Sequence, residues 1–205
     1  MHEVIHLTEA EEKIINATVE CIEKYGMSNT TIRKIGEIAG MNSASINYYF
    51  RSKEALMEKV LSITLSNAFR WEDFAYTESM TFEEQLAEVF IFLVNGALKY
   101  PKITQAHFYE MIQNNDFDIP ARDSLNTFLE KLIQEGFRRH PLVHPQKLRI
   151  AVMGINTATM MYFAYFSRLM DLVSPFDLSI EIERNKYIKS IIHTFLKELS
   201  IVDRT

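Results

Sequence analysis

The chain carries one cysteine, Cys21, which excludes an internal disulfide. That residue falls within the helical pattern of Ile14, Val19, Ile22 and Tyr25, so it is expected in a core and not at a redox site. Positive charge is also short. The 22 Lys and Arg against 27 Asp and Glu leave a net charge of -5, so the molecule as a whole is not a polycation, and any contact with nucleic acid must come from a local patch. Motifs of common enzyme chemistries are missing. There is no Gly-rich phosphate loop and no Gly-x-Ser-x-Gly turn, and Cys21 has no histidine near it in sequence. His140 and His144 stand at i, i+4, but Pro141 and Pro145 break the helix they would need to act as a helical metal site. The expectation is a protein that is not an enzyme and uses no cofactor or metal. Its first residues lack the cationic start and apolar run of a signal peptide, which makes the cytoplasm its expected location. No pair of segments alternates like hairpin strands, and no repeat or low-complexity tract is visible, so the fold class is all-α.

What is present is ample apolar material: 47% of the 205 residues are hydrophobic, enough for a real core. Residues 150–167 form an 18-residue run without charge, which reaches the lower length limit of a membrane span. Asn156, Thr157, Thr159 and Ser167 would carry polar groups into lipid, whereas a buried helix or a subunit interface explains the run at less cost. No membrane association is expected.

The most informative stretch is residues 29–53. Thr30 and Thr31 are cap-type residues ahead of Ile32, Ile35 and Ala39, an i, i+3, i+7 set that describes about two turns of helix. Gly40 ends that helix, Asn42 can cap the next, and Ile46 and Phe50 anchor a second short helix at i, i+4. Two such helices joined by a tight glycine turn make a helix-turn-helix. Within residues 30–53 the cations Arg33, Lys34, Arg51 and Lys53 face a single acid, Glu37, a local balance of +3. Ahead of it, a capping box at Thr8 and Glu11 starts a first helix that stops at Gly26 and supplies an apolar face for the two short ones.

Six further helices bring the expected total to about nine. They run from Lys53 to about Trp71, from the capping box at Thr81 and Glu84 to Tyr100, and from Pro101 through Ile112. The others run from Ala121 to Arg139, from Pro145 to about Leu172, and from Ser179 to about Ile201. Residues 72–80 lose helical periodicity and are expected as a loop.

These motifs resemble the TetR family of bacterial transcriptional regulators, most closely over residues 11–61. The resemblance rests on Ala17 and Tyr25-Gly26, on Thr30-Thr31 with Ile32-Arg33-Lys34-Ile35, on Ala39-Gly40-Met41, and on residues 46–53 followed by Glu54-Ala55-Leu56. It implies a helix-turn-helix DNA-binding domain at 1–52 and a larger helical ligand-binding and dimerisation domain at 53–205. It also implies double-stranded DNA as partner, with Thr31, Tyr49 and Lys53 on phosphates and Ser43, Ala44, Ser45, Asn47 and Tyr48 lining the major groove. Arg33 could reach a guanine edge or a phosphate. Two positions depart from the family pattern, which usually has alanine at Gly36 and tyrosine at Asn47. Gly36 costs about 1 kcal/mol of helix propensity relative to alanine, which a close helix approach could offset. Asn47 can bond adenine N6 and N7 or reach a phosphate, and the residues leave both open.

The resemblance further implies a homodimer through the last two helices, where Ala151, Gly154, Ala158, Tyr162, Tyr165 and Phe166 suit close packing. An apolar small-molecule effector is a family-level expectation. Phe90, His107, Phe108, Met111, Phe128, Asn156, Met160 and Phe163 suit an apolar pocket, with His107 and Asn156 as its polar contacts, and suit a solid core equally well. The function implied is a ligand-released repressor that binds a palindromic operator as a dimer. The alternative is a DNA-bound adaptor or structural protein of the same fold, whose second domain binds a protein partner.

Overall fold

A computed structural model of the chain describes residues 7–166 and 173–199. Among them are ten α-helices and no strand: α1 (Glu9–Tyr25), α2 (Ile32–Ala39), α3 (Ser43–Phe50), α4 (Lys53–Ala68), α5 (Phe82–Lys99), α6 (Pro101–His107), α7 (Tyr109–Asn114), α8 (Pro120–Arg139), α9 (Pro145–Asn156) and α10 (Glu181–Lys197). No helix among the described residues is long and apolar enough to cross a membrane. The chain divides into two compact units, one of residues 1–67 with 100–120 and the other of residues 68–99 with 121–205. Helices from the stretch after residue 52 therefore occur in both units.

In the first unit, α1 begins at the Thr8 capping box, where the hydroxyl accepts from the Glu11 N–H at 3.3 Å and the Glu11 carboxylate accepts from the Thr8 N–H at 2.8 Å. Its apolar stripe of Ile14, Ile15, Cys21 and Ile22 is buried against Ile35 and Ala39 of α2, Ile46 and Phe50 of α3, and Leu56 and Val60 of α4. Cys21 is fully enclosed there, as its place in the helical pattern implies. Ile103 of α6 enters the same core. Three polar ties hold α6 in place: the Glu23 carboxylate accepts from the backbone N–H groups of Lys102 and Ile103 at 3.3 and 2.8 Å, the Lys102 ammonium donates to the Lys24 carbonyl at 3.1 Å, and His107 Nε2 lies 3.1 Å from Thr64 Oγ1.

The sequence reading of one helix over 101–112 is corrected by the structure to two, α6 and α7. At Phe108 the backbone leaves the helical region (φ -113°, ψ 10°), just after His107 has been fixed by Thr64, and the chain restarts at Tyr109.

The second unit packs α5, α8, α9 and α10 around Phe82, Leu86, Phe90, Phe128, Leu132, Ile155 and Ile188. Gly136 makes the close approach of α8 feasible, because a Cβ there would stand 2.8 Å from both Leu148 of α9 and Phe82 of α5. The segment expected as a loop is instead a 3-10 helix, Trp71–Ser79. Phe74 and Thr77 are buried and Trp71 packs on the core, and this spacing of three matches the three residues per turn of a 3-10 helix, so a search for a 3.6-residue period passes over it.

The helix that starts at Pro145 widens after Asn156 into a π-helical stretch, Thr157–Phe166. The hydroxyls of Thr157 and Thr159 donate to the carbonyls of Met153 and Ile155 four residues earlier, a back-bonding that perturbs regular helix geometry. The expected continuation to Leu172 lies outside the described residues, whereas the last helix, expected from Ser179 to about Ile201, runs from Glu181 to Lys197 and is capped at Glu198.

Candidate nucleic-acid interface

The turn into α2 is set by Thr30, which is buried and donates its hydroxyl to the Gly26 carbonyl at 2.9 Å. Thr31 then caps α2, its hydroxyl accepting from the Lys34 N–H at 3.3 Å. Lys34 is turned back toward α1. Its ammonium donates to the Asn29 carbonyl at 2.8 Å and lies 4.4 Å from the centre of the Tyr25 ring, so it stiffens the turn. Arg33 points the other way. Its side chain is 84% exposed and its one ion pair, to Glu37 at 3.6 Å, is a solvent-screened contact of little energy that a phosphate can replace.

Gly40 closes α2 in the left-handed conformation (φ 62°, ψ 36°), and the Met41 N–H returns to the Gly36 carbonyl at 2.9 Å, the longer bond of a Schellman cap. Gly36 is buried at the point of closest approach. A Cβ there would stand 2.5 Å from the Met41 carbonyl oxygen, so the glycine admits the turn that sets α3 against α2. Asn42 caps α3, its side-chain oxygen accepting from the Ser45 N–H at 2.8 Å.

Ile46 and Phe50 bury one side of α3, and the opposite side is left to solvent. Ser43, Ala44, Asn47 and Tyr48 are exposed there, and Tyr48 is 82% exposed, an extreme value for a tyrosine inside a folded helix. Its ring meets that of Tyr49 edge to face at 5.3 Å, which limits the freedom of both.

Arg51 follows at φ 61°, ψ -44°, with the Ser52 N–H reaching the Phe50 carbonyl at 2.6 Å, a γ-turn of the rare positive-φ kind. This tight reversal lets the Ser52 hydroxyl accept from the Ala55 N–H at 3.1 Å and so cap α4, with Lys53 as its first residue.

All nine residues assigned to DNA contact thus lie in the first unit on α2, α3, their caps or the start of α4. Seven are exposed, and Ser45 and Lys53 are partly covered. The eight residues assigned to an effector pocket divide differently. Phe90, Phe128, Asn156, Met160 and Phe163 are buried in the second unit, while His107, Phe108 and Met111 belong to the first, on and around α6 and α7. Burial holds the His107 imidazole well below its ordinary pKa, at about 4, so it is neutral at pH 7. The Asn156 Oδ1 is buried without a hydrogen-bond partner among the described residues. Sequence reasoning missed Glu23. Its partners stand 79 and 80 residues away, so no local spacing could reveal the contact.

A buried-face, exposed-face short helix set by a glycine turn on a capped predecessor, with cations around it, defines a helix-turn-helix DNA-binding protein. Comparison with known proteins agrees. Residues 14–60 match the family described as bacterial regulatory proteins, tetR family. The transcriptional regulator RutR of Escherichia coli K12 is 37% identical over 190 residues, which span 87% of this chain and 84% of RutR. Among solved structures, the fatty acid degradation regulator FadR from Bacillus halodurans aligns with a TM-score of 0.69 at 17% identity, covering 95% of this chain and 98% of that one. A TetR-family regulator from Streptomyces coelicolor aligns at 0.66 and 12% identity, covering 96% and 83%. At those identities the two structures show a shared fold. The chain belongs to the TetR family of bacterial transcriptional regulators and is a DNA-binding transcriptional regulator.

Proposed function

We propose that the protein is a ligand-released repressor that binds a palindromic operator as a homodimer, one recognition helix per half-site. The observation that carries this reading is the face of α3, which exposes Ser43, Ala44, Asn47 and Tyr48 while Ile46 and Phe50 fix it to the core. A helix of that kind fits the major groove, and two of them about 34 Å apart match sites one DNA turn apart. Thr31, Tyr49 and Lys53 hold phosphates. Arg33 takes a phosphate or a guanine edge, and Ser45 and Asn47 face bases.

Two copies are needed because a patch of +3 on a chain of net charge -5 gives weak electrostatic attraction by itself. The dimer forms through the last two helices. Ile150 and Met153 on α9 and Ile182 on α10 are 65%, 60% and 64% exposed, apolar surface that a second copy would cover. The division of roles at residues 52 and 53, between reading DNA and responding to a ligand, is one of function and not of packing. An apolar effector binds within 53–205, and the unpartnered Asn156 oxygen supports a contact with a donor group on it. It releases DNA by favouring the conformation whose recognition helices are mis-spaced.

Selection of bound sequences from random DNA with the purified protein tests this. A two-fold symmetric motif with half-sites about one turn apart is expected. Enrichment of no palindrome would remove the operator reading.

A further inference from the structure

A second feature of the first unit adjoins the DNA-reading surface and shares Lys53 with it. The 3-10 turn Met27–Asn29, the first turns of α4 and the start of α7 border an open groove of about 510 Å³, lined by Met27, Ser28, Lys53, Glu54, Met57, Glu58, Leu61 and Tyr109. That volume falls within the range of small-molecule sites, about 300 to 1,000 Å³. We propose that this groove binds an organic monocation with an apolar body, such as a quaternary ammonium carrying an aryl or alkyl group.

The chemistry of the walls selects that class. Half-buried Met27 and Leu61 form an apolar surface with the edge of Met57, which is otherwise buried in the core, and thioether side chains adapt to irregular ligand shapes. Glu54 and Glu58 stand one turn apart on α4, where like charges repel. Among the described residues neither carboxylate is engaged by a hydrogen bond or an ion pair, and with Lys53 opposing them the lining keeps one net negative charge. A cation relieves that repulsion, an anion worsens it, and a neutral molecule leaves it as it stands. Tyr109 is 47% exposed and adds a ring face of the kind that attracts quaternary ammonium groups. A weakly hydrated organic cation suits this mixture better than a metal ion, because two glutamates beside thioethers and a leucine offer too few oxygen ligands.

The test uses the full chain labelled with 13C at its methionine methyls and titrated with trimethyl(3-phenylpropyl)ammonium, with 3-phenylpropanesulfonate as the charge-reversed control. Saturable shifts of the Met27 and Met57 methyls are expected with the ammonium and none with the sulfonate at the same concentration. The double variant E54Q/E58Q, checked for folding by its melting curve, should weaken binding at least tenfold. Four results would overturn the proposal: equal binding of both ions, unchanged affinity in the double variant, shifts confined to other methionines, or no shift at the solubility limit. Shifts of Met27 and Met57 that follow protein concentration alone would assign the groove to a second copy of the chain and would overturn it too. No DNA enters the titration, so this inference and the operator reading can fail separately.

Discussion

Ile103 donates its backbone N–H to Glu23 Oε1 at 2.8 Å, and the same carboxylate takes the Lys102 N–H through its other oxygen. The first N–H groups of a helix have no partner inside it, and negative charge is favoured at that end. Here the partner comes from α1, so the end of the first helix and the start of α6 are held as one piece.

Replacing Glu23 by alanine leaves two partly buried donors unsatisfied and should lower stability by about 1–3 kcal/mol. Glu23→Gln keeps one acceptor and should recover part of the loss. Urea denaturation of the three proteins is the measurement, and an alanine variant as stable as the parent would show that water replaces the carboxylate freely.

Gly36→Ala gains helix propensity of about 1 kcal/mol but places a methyl 2.5 Å from the Met41 carbonyl, which belongs to the turn backbone and cannot swing aside. Overpacking of this kind costs about 1–3 kcal/mol, so the substitution should be net destabilising and should disturb the seating of α3. Thermal melts and operator affinity should fall together. A more stable variant with unchanged affinity would mean that the turn can move.

His107 titrates near its ordinary value of 6.5 when unfolded and at about 4 when folded. Between those values the unfolded chain binds the proton and the folded one does not. Stability therefore falls as pH drops from 6.5 toward 4, by up to about 1 kcal/mol per pH unit. His107→Gln retains a hydrogen-bonding group for Thr64 and does not titrate, so its stability should depend less steeply on pH in that window. Parallel curves for the two proteins would assign the acid sensitivity elsewhere.

Lys53→Ala should weaken binding to every DNA sequence alike and lower the slope of log affinity against log salt by about one ion. Asn47→Ala should alter the preferred base at one position of each half-site, with a cost of about 1–3 kcal/mol on the favoured base. Anisotropy titrations over a range of salt separate the two effects. A uniform loss from Asn47→Ala would make it a phosphate contact.

The helix-turn-helix was legible in the sequence because its determinants are local. The caps at Thr31 and Asn42, the stop at Gly40, and the pair Ile46 and Phe50 each act over three or four residues, and the structure places each as its spacing implies. The close approach expected to offset the helix-propensity cost of Gly36 is with the Met41 carbonyl of the turn. The 3-10 helix at Trp71–Ser79 escaped because its period is three, and the break at Phe108 because a contact with Thr64, distant in sequence, precedes it. Pairings such as Glu23 with Ile103 belong to the tertiary fold alone.

The first unit is discontinuous, made of residues 1–67 and 100–120. Synthesis from the N-terminus therefore delivers the three helices that read DNA well before the segment that plugs Ile103 into their core and caps it on Glu23. A nascent chain that ends between the two segments holds a recognition helix over an unfinished interior, so it should be cut by added protease faster than the full chain. Only a polypeptide made past residue 103 has the full interior on which the DNA-reading helices rest.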